Sequence, residues 1–173
     1  SILFLSYYAH LDLKKEHTSW GELYEKYFLN NNFIYFFLPS RKNLYFKNKN
    51  YLFVNNFFNF GDFFKVIKEF NFYKKKFQKI KNDLFYQQEI NELGKVCWIL
   101  KNDMEDSLDG FLLLQNLTWI TLFDRMLKEI PYQKKGIYIY ENQPWERAFI
   151  CAWKKFNHGK LYGFVTASIH FWL

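Results

Sequence analysis

Two short polar clusters in the 173-residue sequence hold side chains able to do chemistry. The first is His10, Asp12, His17, Ser19 and Trp20, in "HLDLKKEHTSW". The second is Glu141, Asn142 and Gln143, followed by Pro144, Trp145 and Glu146, in "YENQPWE". An imidazole or carboxylate at either place could take the proton of a sugar hydroxyl, and the amides could bond neighbouring hydroxyls. His10 and Asp12 also form a His-x-Asp pair, but two ligands without a third are poor grounds for a metal, and none is expected. The sequence has no Gly-rich phosphate loop, nucleophile elbow or Cys/His ligand pattern.

Strands must carry both clusters. Ser1–Tyr8 is a short apolar run, read as a buried strand that ends in the first cluster. Gly136–Tyr140 is a second, ending at Glu141. A helix over Pro144–Phe156 then follows, because proline suits a first helical position. Trp145, Ala148, Phe149, Ala152, Trp153 and Phe156 give it one apolar stripe, Lys154 and Lys155 suit its negative end, and Asn157–Gly159 stop it. Glu146 reads as a first-turn carboxylate and Asn142 or Gln143 as a cap, and Glu141 is a separate candidate for function.

Further strands are expected at Phe33–Leu38, Tyr51–Val54 and Lys160–Val165, and helices at Trp20–Leu29, Gly61–Lys81, Gln87–Lys101 and Gly110–Ile130. The segment "NNFFNFGDFF" fits neither pattern. Strands apolar throughout and alternating with helices predict an α/β fold: a parallel sheet with helices on both faces, in one domain over 1–173. Ligands of such sheets gather at the carboxyl ends of the strands. His10 and Glu141 are therefore expected on one edge, within about 10–15 Å.

Composition excludes more than it assigns. Half of the residues are hydrophobic and 24% are aromatic, but Phe, Tyr, Ile, Asn and Lys have A/T-rich codons, so genome bias accounts for much of this. A net charge of +7 suits nucleic acid, anionic lipid or phosphorylated substrates. Lys74, Lys75, Lys76, Lys79 and Lys81 fall on the wet face of a helix, and no nucleic-acid module is recognisable, so no nucleic-acid partner is expected. Cys97 and Cys151 lie in apolar helical patterns, without a disulfide framework, which fits a reducing compartment. The longest apolar run, Phe111–Phe123, is interrupted by Gln115, Asn116 and Thr118 and falls short of the roughly 18 residues of a spanning helix. "SILFLSYY" lacks the basic start of a signal peptide. A cytoplasmic location is expected.

The blocks "LFLSYYAHLDL" (Leu3–Leu13), "SWGELYEKY", Leu112–Phe164 with its "YENQPWE", and "SIHFW" (Ser168–Trp172) resemble a family of bacterial surface carbohydrate biosynthesis proteins of glycosyltransferase-B-like architecture. The resemblance implies a Rossmann-like amino-terminal half that holds the acceptor, with a second domain for the nucleotide-sugar donor. It implies catalytic roles for His10, Asp12 and Glu141, and substrate contacts from Asn142, Gln143, Ser19, Trp20 and His170. It implies no metal or other cofactor. The partners would be a nucleotide sugar and a glycan acceptor in a longer form, with peripheral association at the inner face of the membrane. The chain departs from the family at Val165–Thr166, where a Gln-His type of pair is expected, and in stopping at Leu173. The competing reading is a non-catalytic binding or scaffolding module of a glycan assembly complex.

Overall fold

Four consecutive apolar residues, Ile2–Leu5, are buried because strand β1 (Ile2–Tyr7) has a parallel neighbour on each side. A strand covered on both faces and both edges needs no polar alternation, which is why it reads as a continuous apolar run. The computed structural model describes residues 2–7, 11–12, 17–18, 33–38, 51–89, 103 and 105–165. Two short strands, β2 (Leu11–Asp12) and β3 (His17–Thr18), pair antiparallel with Asp12 opposite His17. The main sheet is completed by β4 (Phe33–Leu38), β5 (Tyr51–Phe53), β6 (Lys135–Tyr140) and β7 (Lys160–Val165). Its order is β5-β4-β1-β6-β7, with every pair parallel. The α/β class and the parallel sheet expected from sequence are thus present.

The chain forms two compact units, Ser1–Phe58 with Leu122–Leu173, and Asn59–Thr121. The first contains the sheet. Its buried residues include, besides those of β1, Phe123, Met126 and Leu127 in the last turns of α2 (Phe111–Glu129) and Phe149 and Trp153 of α3 (Pro144–Lys155), with the Phe123 and Phe149 rings 5.4 Å apart. Gly136 on β6 makes the α3 packing possible: a Cβ there would stand 2.6 Å from the Trp153 ring. A β-carbon would displace the indole, so the residue under it must be glycine.

The second unit contains α1 (Phe60–Glu89). The segment that sequence leaves unassigned holds the start of this helix. The Asn59 side-chain oxygen accepts from the Asp62 amide and the Asp62 carboxylate accepts from the Asn59 amide, both at 2.9 Å. This is a reciprocal capping box made from Asn and Asp. The helix passes through Lys81, where the apolar spacing suggested an end, because residues 82–89 contain neither glycine nor proline. The helices expected at Trp20–Leu29 and, beyond Glu89, at Gln87–Lys101 lie outside the described residues. α2 is less buried than its composition suggests: Phe111, Leu112 and Ile120 are exposed.

Candidate functional site

In the main sheet, successive strands run outward from β1 in one direction through β4 and β5, and in the other through β6 and β7. In open parallel sheets ligands gather at the carboxyl ends of the two strands where the order reverses. Those strands are β1 and β6. Their register pairs Ile2 with Lys135 and Leu5 with Tyr138, so Tyr7 and Tyr140 end level on one edge. Glu141, Asn142 and Gln143 follow Tyr140 directly, at this edge.

The turn is held from beneath by Glu146. This residue is only 1% exposed, yet one carboxylate oxygen accepts from the Glu141 amide at 2.8 Å and from the Gln143 amide at 2.9 Å. The Glu146 amide in turn donates to the Gln143 carbonyl at 3.1 Å. Gln143 is the cap residue of α3 and Pro144 its first helical residue, as the sequence suggests. Asn142 takes φ 59°, the left-handed region that asparagine tolerates better than most residues. With the Glu141 and Gln143 amides used internally, residues Glu141, Asn142 and Gln143 stand exposed.

An aromatic floor supports the arrangement. The Tyr138 ring lies 6.5 Å from Trp145 and 5.9 Å from Phe149, and Phe123 lies 5.4 Å from Phe149. Trp145 is thus core, as expected. The Tyr138 phenol is held above its usual range, first by burial, then by the negative charges of Glu146 and Tyr140. The same burial leaves the second oxygen of Glu146 without a hydrogen-bond partner, a costly state for a carboxylate unless the fold fixes it. Sequence reasoning placed Glu146 correctly as a first-turn carboxylate. It did not show that Glu146 shapes the whole turn, although its spacing from Gln143 carries that signal.

The other expected site residues divide into two groups. Asp12 is described only in its backbone, in the β2–β3 pair opposite His17. His10, Ser19, Trp20 and His170 lie outside the described residues. Among the described residues no three His, Cys, Asp or Glu side chains are grouped to hold a metal, and no helix is long and apolar enough to cross a membrane. Comparisons of the chain with protein-family models, curated proteins and solved structures gave no match.

Proposed function

We propose that this chain is the acceptor-side, Rossmann-like part of a glycosyltransferase-B-like protein of surface polysaccharide assembly, and that the Glu141–Gln143 turn binds the acceptor sugar. The observation that carries this reading is a carboxylate and two amides, all exposed, at the reversal point of a parallel sheet. Such groups match the mixed donor and acceptor demands of sugar hydroxyls. The likeness of Leu3–Leu13 and Leu112–Phe164 to surface carbohydrate biosynthesis proteins supports the same class.

The helix terminus favours an acceptor over a nucleotide. Free amides at a helix start ordinarily attract phosphate. Here Glu146 already takes the Glu141 and Gln143 amides and places a negative charge at the start of α3. A diphosphate would meet that charge, whereas a neutral sugar would not. In the proposed reaction the Glu141 carboxylate takes the proton of an acceptor hydroxyl. That oxygen forms a bond to the anomeric carbon of the donor sugar, and the bond from this carbon to the nucleoside diphosphate breaks. The donor belongs to a longer form. His10 and Asp12 keep the roles that the resemblance assigns them.

Ligand-observed NMR on the chain tests the reading with two panels, oligosaccharides and nucleoside diphosphates. Weak saturation transfer to oligosaccharides is expected, reduced about two- to tenfold by Glu141→Gln, the range that corresponds to one lost hydrogen bond. Transfer only to nucleoside diphosphates, or equal transfer in the variant, would overturn it.

A further inference from the structure

On a helix of about 3.6 residues per turn, Phe60, Phe64, Lys68, Lys75 and Lys79 fall in one stripe of α1. The opposite stripe, with Val66 and Phe77, is buried. The outward stripe is unusual in its apolar content: Phe60 is 77% exposed and Phe64 is 60% exposed, with their rings 5.1 Å apart and edge-on. Beside the stripe Phe72 is also exposed, with the Lys76 ammonium 4.6 Å from its ring centre. Large side chains that could be covered are thus left in water and surrounded by lysines. A solvated helix face accounts for the lysines but not for the phenylalanines.

We propose that this face of α1 docks on an anionic lipid surface, with Phe60 and Phe64 entering the headgroup boundary and Lys68, Lys75 and Lys79 meeting lipid phosphates. Charge complementarity selects this occupant. A second copy of the chain would set lysine against lysine. Single-stranded nucleic acid is held in a positively charged groove lined by stacking rings, whereas this is the outer face of one helix, and α1 contains no arginine. Lysines with aromatic residues on an amphipathic helix are the composition of an interfacial helix. Long lysine stems let the charges stay at phosphate level while the rings go deeper. The proposal is independent of the sugar-site reading, because vesicle binding and sugar binding are measured separately and by different variants.

The test is co-sedimentation of the full chain with vesicles of phosphatidylcholine alone and of phosphatidylcholine mixed with phosphatidylglycerol. Retention is expected on the mixed vesicles only, and it should weaken as salt is added. Lys75→Gln with Lys79→Gln should lower the partition coefficient roughly tenfold or more. Phe60→Ala with Phe64→Ala should lower it by at least about tenfold, with the melting temperature kept because both rings are exposed. Phe60→Trp with Phe64→Trp should preserve binding and add a blue shift of tryptophan emission on mixed vesicles. Equal retention on neutral vesicles, or undiminished retention of both loss variants, overturns the proposal. So does capture of polyuridylate that the loss variants abolish while vesicle binding stays unchanged.

Discussion

The two ends of α3 are both polar turns built around an asparagine at positive φ, Asn142 at 59° and Asn157 at 54°. Their polar groups are used in opposite directions. At the start, one buried carboxylate accepts from the Glu141 and Gln143 amides, and residues Glu141, Asn142 and Gln143 remain exposed. At the end, the Asn157 amide donates to the Lys154 carbonyl at 3.1 Å and the His158 amide to the Trp153 carbonyl at 3.2 Å, which is a Schellman closure. The His158 ring then joins two other segments. Its Nδ1 accepts from the Gln133 amide at 3.1 Å, so Nε2 carries the proton and donates to the Leu127 carbonyl at 2.9 Å. A turn held by a buried neighbour can keep its own side chains at the surface. A turn that satisfies the backbone of its neighbours has its side chains engaged already.

The largest effect is expected beneath the second turn. Trp153 is buried against Gly136, and its indole N–H donates to the Gly159 carbonyl at 2.7 Å. Trp153→Ala should cost about 3–5 kcal/mol, read as a fall in the guanidinium midpoint. An unchanged midpoint would mean that the end of α3 is not the anchor described. Next come the two buried polar connectors. Glu146→Ala and His158→Ala should each cost about 1–3 kcal/mol, because backbone groups lose a buried partner. They should separate in function: Glu146→Ala also releases the sugar-binding turn and weakens binding, and His158→Ala leaves it intact. Equal effects on binding would erase the distinction between the two ends.

Alkali gives a smaller and more specific effect on the first end. Tyr138 is held above the usual tyrosine value of 10.0, mainly by burial and secondly by Glu146. The folded protein then keeps the phenol proton more firmly than the unfolded chain. Stability from this group is fully present below the unfolded value and is lost as pH rises through the raised one. Thermal melts should therefore fall more steeply above about pH 10 in the parent than in Tyr138→Phe. Equal slopes would remove Tyr138 from the account.

Much of this contrast was legible in the sequence, and for identifiable reasons. Proline at 144, a carboxylate at 146 and an apolar stripe through Phe149 and Trp153 each specify α3 locally, and the helix lies where they place it. The apolar runs at Ile2–Tyr7 and Lys135–Tyr140 were legible as strands because both are interior to a parallel sheet. Their pairing was legible only as an expectation, since strand order is set by contacts distant in sequence. The start of α1 was placed within one residue, at Gly61, but its capping box was missed because Asn59 and Asp62, unlike the commoner Ser and Glu, are also turn residues and lie in a phenylalanine-rich stretch. The inward role of His158 was missed for a different reason. No local pattern shows that a histidine beside a helix stop will face the amide of Gln133, on a segment 25 positions away.

The smallest effect on stability gives the sharpest comparison. Glycine takes positive φ at little steric cost but loses more entropy on folding than asparagine does, so the two terms nearly offset. Asn142→Gly and Asn157→Gly should therefore each leave stability within about 0.5 kcal/mol in thermal melts. Alanine at either position should cost up to roughly 1–2 kcal/mol, because it keeps the Cβ that crowds the following carbonyl in the left-handed region and lacks the short polar group by which asparagine offsets it. The glycine variants thus remove an amide side chain and keep the course of the backbone. If the first turn binds an acceptor through its side chains, Asn142→Gly should weaken oligosaccharide binding about two- to tenfold by NMR titration, the equivalent of one hydrogen bond. Asn157→Gly should leave binding unchanged, since the contacts at that turn are made by backbone amides and by His158. Should the two glycine variants bind equally well, the amide of Asn142 contributes nothing to recognition, and Glu141 and Gln143 are left to account for it.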